Sequence, residues 1–407
     1  MNKISLFTLV LTLLFTFTIQ LFALQPGVNY ELYGFIRNDF YYNSRLNEEV
    51  IDGIFHLFPK PAIINTVGID ENAVPQAEMI SVATRLGLNI KGGIIAGAKS
   101  SAKIEMDFAG SGSYYFLIRL RQAYMQFDWD KTSLLIGQTW HPLFGSVSPT
   151  GATYNAGVPF QPFNRSPQIK INHHLSPSLT LIGAAIYQMQ YTSTGPLGFS
   201  AEYMKKAIQP NLFGGLEYKK SGWTSGFGID YKKIKPNDHS ISSLSAVAYA
   251  QFIKSMWQVK AKAVVGQNLS DHLMAGGYGE IFDSNTGGVQ YTNISSHASW
   301  VNVIYGKKWQ VGLFGGYFQN LGSGTTLHAV GNEYTLYGRG FYKNSQQMLD
   351  RLNRVSPMLI YNLPNFNVGI EYNLTQAQYG KITSDGRITQ PYSVNNHRIL
   401  ASATYFF

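Results

Sequence analysis

Residues 397–407 read HRILASATYFF. Chain ends are usually polar and frayed, yet this one alternates. Ile399, Ala401, Ala403, Tyr405 and Phe407 share one face of an extended strand, and Arg398, Ser402 and Thr404 share the other, with Leu400 and Phe406 as exceptions. A strand with one continuous apolar face needs an apolar surface to lie against, and the rest of the chain must say which.

The same period of two recurs from residue 29 onward. In YELYGFIRNDFYY (30–42), Tyr30, Leu32, Gly34, Ile36, Phe40 and Tyr42 oppose Glu31, Arg37 and Asp39. In ISVATRLGLNIK (80–91), Ile80, Val82, Leu86, Leu88 and Ile90 oppose Ser81, Arg85, Asn89 and Lys91. AKIEMDF (102–108) sets Lys103, Glu105 and Asp107 against Ala102, Ile104, Met106 and Phe108, and FNVGIEYNL (366–374) repeats the pattern. The connectors alternate in length. Short ones lie at 91–93, 128–131, 174–178, 219–222, 254–256, 306–308 and 362–365; long ones at about 43–78, 109–115, 141–166, 193–208, 234–243, 267–288, 320–350 and 376–393. This spacing predicts sixteen strands, or fourteen or eighteen if the irregular runs at 116–129, 244–254 and 289–305 divide differently. The fold class is all-β: a transmembrane antiparallel β-barrel with short periplasmic turns and long extracellular loops. A soluble sandwich or propeller also alternates. The two classes of connector, the composition and the leader described next argue against it, and no repeat of propeller length is present.

Charged residues are 14% of the chain, against about 25% in a typical soluble domain, while aromatics are also 14%. Residues 1–23, MNKISLFTLVLTLLFTFTIQLFA, have the layout of a secretory signal peptide, leaving 24–407 as a single barrel domain destined for the outer membrane. Removing the leader lowers the net charge from +9 to +8. The absence of cysteine excludes disulfides, thiolate metal sites and a lipidated N-terminal cysteine. The implied partners are the lipid bilayer, outer-membrane lipopolysaccharide and small hydrophilic solutes. No cofactor, metal or nucleic-acid partner is expected.

A sixteen-stranded barrel encloses an aqueous lumen, so the inward residues carry the function. The inward basic set is Arg37, Arg85, Lys103, Arg119, Arg121, Lys170, Lys232, Lys260, Lys262 and Arg398. The inward acids are Glu31, Asp39, Glu105, Asp107, Glu217, Asp230 and Glu371. The surplus of bases favours anions; the bland alternative is that bases and acids pair and merely keep the lumen wet. Arg119 and Arg121 point to one side of a strand, about 6.5–7 Å apart. They could build a basic ladder with Arg37 and Lys103 or a network with Glu105, Asp107 and Asp39, and the two can hold at once. The third long connector, 141–166, is rich in Gly, Pro, Ser and aromatics and holds no acid. It is the candidate constriction, with Tyr154 and Arg165 as lining residues. A sugar-type channel would instead use Tyr33, Phe35, Trp140, Phe144, Tyr154, Phe160 and Phe163 as stacking surfaces.

Enzyme signals are thin. GGIIAGAKS (92–100) is a turn and strand rather than a phosphate loop. His297 precedes Ser299 by two residues, as in outer-membrane phospholipases, but a two-residue match is common by chance. The chain reads as a non-enzyme.

Four stretches carry a family resemblance: YELYGFIRNDFYYNS, AKIEMDFAG, IRLRQAYMQFDW and LLIGQTWHPLF. Over residues 29–145 the chain resembles the DcaP-like porins. That resemblance implies a homotrimer of sixteen-stranded outer-membrane channels and passive uptake, in some members of dicarboxylates through a basic constriction. The role would fall on Arg37, Arg119 and Arg121. The chain departs from the family in lacking an N-terminal coiled coil, in its acid-free third loop and in its long, acid-bearing first loop. The ending, with Tyr405 and Phe407, resembles the recognition signal read by the barrel-assembly machinery.

Overall fold

A strand with one face in lipid and one in water satisfies its backbone only by pairing on both edges, and every strand of this barrel does so. The computed structural model describes residues 27–51, 53–110, 117–152, 157–283 and 287–407; the leader and Tyr154 lie outside them. Sixteen strands form the wall. They are β1 (Asn29–Asn43), β2 (Gln76–Ile80 continued by Arg85–Ile95), β3 (Ala98–Asp107), β4 (Arg119–Asp128), β5 (Thr132–Trp140), β6 (Arg165–Ser176), β7 (Leu179–Ile186), β8 (Asn211–Lys220), β9 (Trp223–Ile234), β10 (Ile241–Lys254), β11 (Trp257–Gln267), β12 (Gly288–Gly306), β13 (Trp309–Ser323), β14 (Gln347–Leu363), β15 (Phe366–Ile382) and β16 (Ile388–Phe406). Neighbours in sequence pair antiparallel, and β1 pairs with β16 from Phe35↔Phe406 to Asn43↔Arg398, which closes the barrel. A short strand, Gly276–Asp283, pairs with the start of β12 and with Leu336–Arg339 above the wall.

The seam explains the terminal phenylalanines. Gly34 and Phe407 exchange backbone hydrogen bonds of 3.1 and 3.2 Å. A Cβ on Gly34 would stand 2.8 Å from the Phe407 ring and 2.4 Å from the Arg85 carbonyl oxygen, so the last ring rests on a glycine of the first strand. The apolar face of residues 397–407 looks outward, as do Leu32, Ile36, Phe40, Ile399 and Tyr405, all exposed on the lipid side. Four of the six tryptophans, Trp129, Trp223, Trp257 and Trp309, are exposed at the short-turn rim. Three of these lie tilted against Phe252, Tyr305 and Tyr361, making the aromatic girdle of a membrane interface.

Three expected boundaries move. The first short turn is at Ala96–Gly97, not 91–93. Both turn residues have positive φ, +49° and +77°, as a two-residue hairpin of the type that matches strand twist requires. Gly92 and Gly93 instead fall in a register shift within the β2–β3 pairing. Ile80 does not share a face with Leu86. Asp39 pairs with Ile80 and Phe35 with Arg85, so β2 carries one residue more than β1 between these points, and a one-residue insertion reverses the side-chain alternation. Arg37 N donates to Thr84 Oγ1 at 3.1 Å there, and Ser81 Oγ donates to Asn38 Oδ1 at 2.5 Å. Finally, 376–393 is mostly strand, with only 383–387 as a connector, because β15 and β16 continue past the membrane belt.

The lumen is packed by loops. A ribbon in the first loop, Asn47–Val50 with Phe55–Pro59, buries Phe55, Leu57 and Phe58 completely. It hangs from the wall by Arg354 Nη2 donating to Leu57 O at 2.8 Å, Arg398 Nη2 to Gly53 O at 3.1 Å and Tyr379 Oη to Pro59 O at 2.6 Å.

Candidate functional site: the barrel interior

The cationic residues expected on β1 to β4 are brought together, and they meet acids. Arg119 grips Asp107 with both arms at 2.9 and 2.6 Å. Arg121 bridges Glu105 and Asp107, both at 2.8 Å. Arg85 and Lys103 reach Glu105 at 3.7 and 3.9 Å, and Arg37 pairs with Asp39 at 2.5 Å. The network with Glu105, Asp107 and Asp39 is formed, and the bases that make it stand together along one wall. Its layering is uneven: the side chains of Lys103, Arg85, Arg37 and Arg119 remain 24, 19, 11 and 10% exposed, while Glu105, Asp39 and Asp107 are 3, 4 and 0% exposed. Five bases on three acids, with the acids underneath, leave a surface whose accessible atoms are cationic. Lys103 also lies over the Tyr33 ring at 4.9 Å and Arg85 over Phe35 at 4.9 Å.

Residues 141–164 leave β5 and cross the lumen. With no acid of its own, this loop is held by wall cations that donate to its backbone and hydroxyl oxygens. Arg37 Nη2 donates to Ala152 O at 2.5 Å, Lys260 Nζ to Thr150 Oγ1 at 2.7 Å and Arg354 Nη1 to Val158 O at 3.0 Å; Lys262 Nζ donates to Phe144 O. Asn302 accepts from Thr150 N at 2.9 Å and donates to Thr150 O at 3.1 Å, and Trp300 Nε1 donates to Gln161 at 3.0 Å. Ser146 donates to Glu217. Two wall glycines act as seats: a Cβ on Gly369 would stand 2.7 Å from Ala152 Cβ, and one on Gly316 would stand 2.6 Å from the Phe160 ring. Two cavities flank the tip, both touching Thr150 and Gly151. One meets Arg354, Ser356, Glu371 and Asn373; the other meets Arg37, Gln310, Asn362, Asn367 and Ser402.

The aromatic residues are spent on packing. Trp140 stacks on Phe144 at 4.3 Å, Phe163 meets Trp140 at 4.9 Å, and Phe55 of the first loop meets Phe163 at 4.8 Å. Phe144, Phe160 and Phe163 are buried and present no open stacking face. Arg165 belongs to β6, not to the loop; it is fully buried, binds Gln190 Oε1 at 2.6 Å and lies over Trp140 at 4.8 Å. Lys170 is half-buried on the same strand. His297 and Ser299 lie on the outward side of β12, alternating with buried Ala298 and Trp300.

Two features went unread in the sequence. Arg354 alternates in step with Leu352, Ser356 and Met358 on β14, and that period could have placed it inward. The other lies under the roots of the crossing loop. His141 Nε2 approaches Asp230 Oδ1 at 3.6 Å, its ring meets His272 edge-on at 4.7 Å, and Lys232 pairs with Asp271 at 2.6 Å. Phe163 N donates to His272 O at 3.0 Å and Asn164 Nδ2 to Asp271 O at 2.8 Å, so the far root of the loop is tied to residues 271–272, and His141 N at the near root donates to Asn164 O at 3.0 Å. Burial, then His272 and Lys232, pushes His141 well below the usual histidine range. Burial outweighs Asp271 and lowers His272 to about 4. Period-two alternation places Asp230 and Lys232 inward, but nothing in the sequence marks that they meet His141, Asp271 and His272, which become neighbours only after the barrel closes. No group of metal-ligating side chains occurs among the described residues.

No family model matches the chain, and no curated protein does. Solved structures do. The outer membrane channel DcaP of Acinetobacter baumannii superimposes with a TM-score of 0.70 at 19% identity, over 94% of this chain and 98% of that one. OmpT of Vibrio cholerae in its trimer form, an outer membrane protein, gives 0.53 at 9% identity over 94% and 100%. OmpF of Salmonella typhi, in complex with daunomycin, gives 0.52 at 13% over 94% and 98%. The resemblance first read in β1 to β5 thus extends to nearly the whole chain as a likeness of fold, and the chain has the barrel fold of DcaP and of other outer-membrane proteins.

Proposed function

We propose that this protein is an outer-membrane porin: a passive diffusion channel for small hydrophilic solutes, biased toward anions such as dicarboxylates. It works as a homotrimer, exported by its leader and inserted through its Tyr405–Phe407 ending by the barrel-assembly machinery. The sixteen-stranded wall with a loop crossing its lumen supports the channel reading. The anion bias rests on one observation: the β1–β4 wall buries Asp39, Glu105 and Asp107 beneath Arg37, Arg85, Lys103 and Arg119. A solute passing this wall meets guanidinium and ammonium groups first, which lowers the electrostatic barrier for anions. The trimer is carried by the fold likeness alone.

The test is the reversal potential of the purified protein in a planar bilayer under a salt gradient. Arg119 and Arg121 are poor choices for substitution, because removing either strands a buried carboxylate. Arg85→Gln with Lys103→Gln is cleaner, since both sit more than 3.5 Å from Glu105 and are the most exposed of the set. Each unit charge 4–8 Å from the path is worth roughly 0.5–1 kcal/mol in water. The double variant removes two such charges, about 1–2 kcal/mol together, and should therefore cut the anion permeability roughly fivefold to thirtyfold, with the anion-to-cation ratio falling at least as far. An unselective wild-type channel removes the anion bias, and absence of current removes the channel in favour of a barrel closed by its own loops.

A further inference from the structure

The outer wall has a groove of about 390 Å³ formed by Ile229, Leu244, Ala246 and Val265, with Gln267 and Ser295 at its rim. Ile229, Leu244 and Val265 are exposed around it. Ala246 makes the gap: it pairs with Ile229 and with Val265 in register, so a short side chain stands where its neighbours are branched. The groove lies toward the long-loop end of β9 to β11, since Gln267 is the last residue of β11 and Ile234 the last of β9.

Directly above it the wall turns basic. Tyr231 pairs with Leu244 at the groove and Lys233 with Ser242. Lys233 therefore stands on the same outward face, about 6.5–7 Å further along the strand. Lys235 follows, its backbone N donating to Tyr203 O at 2.7 Å. That bond docks a short helix, Glu202–Ala207, which adds Lys205 and Lys206. Lys205 pairs with Glu202 at 2.7 Å, and Glu280, beside the cluster that holds Tyr203, accepts from Tyr337 Oη at 2.6 Å. Among the described residues Lys233 and Lys235 have no acidic partner within 4 Å. A branched apolar groove in the membrane belt, capped by unpaired lysines at the interface, matches an amphiphile with a phosphate above an acyl chain.

We propose that this groove is a fixed binding site for one anionic lipid of the outer leaflet, an acylated phosphoglycolipid. One acyl chain would lie between Ile229, Leu244 and Val265 over Ala246, and a phosphate would sit on Lys233 and Lys235. The leaflet assignment rests on the porin reading, which places the long loops outside.

The experiment is native mass spectrometry of the detergent-purified protein titrated with lipid A, alongside Lys233→Gln/Lys235→Gln, Ala246→Trp, and the short-turn control Lys219→Gln/Lys220→Gln. Retention of one lipid A by wild type and control, weakened at least tenfold by the lysine pair and by the filled groove, is the expected result. Equal retention in all four overturns the site. So does disulfide cross-linking of two copies through Ala246→Cys, which would give the groove to a neighbouring protomer. Lys233 and Lys235 are half-buried at the rim, and a retained heat-modifiable folded band for their variant separates loss of lipid from a folding defect. Bilayer conductance of the same samples separates the readings: a conducting channel without lipid retention refutes this site alone, and retention without conductance refutes the porin alone.

Discussion

Replacing Gly369 by alanine or valine tests how the crossing loop is held. A Cβ there would stand 2.7 Å from Ala152 Cβ, where ordinary carbon contact begins at about 3.5 Å. The tip of the loop must therefore lift by about 1 Å. Ala152 O accepts from Arg37 Nη2 at 2.5 Å and from Ser402 Oγ at 3.1 Å, and a lift of that size breaks both. One charge-assisted and one neutral hydrogen bond together contribute roughly 2–4 kcal/mol, enough to turn a fixed tip into one populated in several positions. Single-channel recording reads this directly. Gly369→Val is expected to raise the conductance and add rapid flicker, with the heat-modifiable folded band retained on gels. Gly183→Ala, where an added Cβ meets nothing within 4 Å, should behave as wild type. A Gly369→Val channel with unchanged conductance and noise would show that the tip does not bound the solute path, and the reasoning would fail.

Two further outcomes are expected. Gly34→Val, which sets a branched side chain against the Phe407 ring and the Arg85 carbonyl, should lower the yield of closed barrel in a refolding assay, and deletion of Phe407 should do the same; normal yields for both would separate the seam contact from closure. The loop roots should loosen in acid: His272, lowered by burial to about 4, stays neutral when folded but takes up a proton at the ordinary 6.5 once released. The stability this confers is full above about pH 6.5 and falls as pH drops toward 4, by on the order of 3 kcal/mol. Asp230, Asp271 and Lys232 are the charges that face the pair. Limited proteolysis should therefore cut within 141–164 faster at pH 4.5 than at pH 7, and a rate independent of pH, after correction for the protease, would count against it.

Much of the barrel was legible locally. Strand pairing demands alternation and lipid demands an apolar outward face, so Leu32, Ile36, Ile399 and Tyr405 declared their side without any knowledge of their neighbours. The same period named the inward charges of β1 to β4, and the composition of 141–166 set that loop apart. Where local reading failed, one residue was enough: the extra residue between Ile80 and Arg85 turned Ile80 into the lumen, and Gly92–Gly93 looked like a turn but bent a continuing strand. Sequence alone therefore determined the fold class, the lipid face and which charges of β1 to β4 face inward, because each depends on spacing along one strand. Tertiary structure alone decided what those charges do. Asp107 lies beneath two arginines of the neighbouring strand, a contact set by register between strands; Arg37 and Arg354 reach loop carbonyls at Ala152 and Val158, and His141 meets His272, because barrel closure and the folding-in of loops bring together residues over a hundred positions apart, and no pattern within a strand records such contacts.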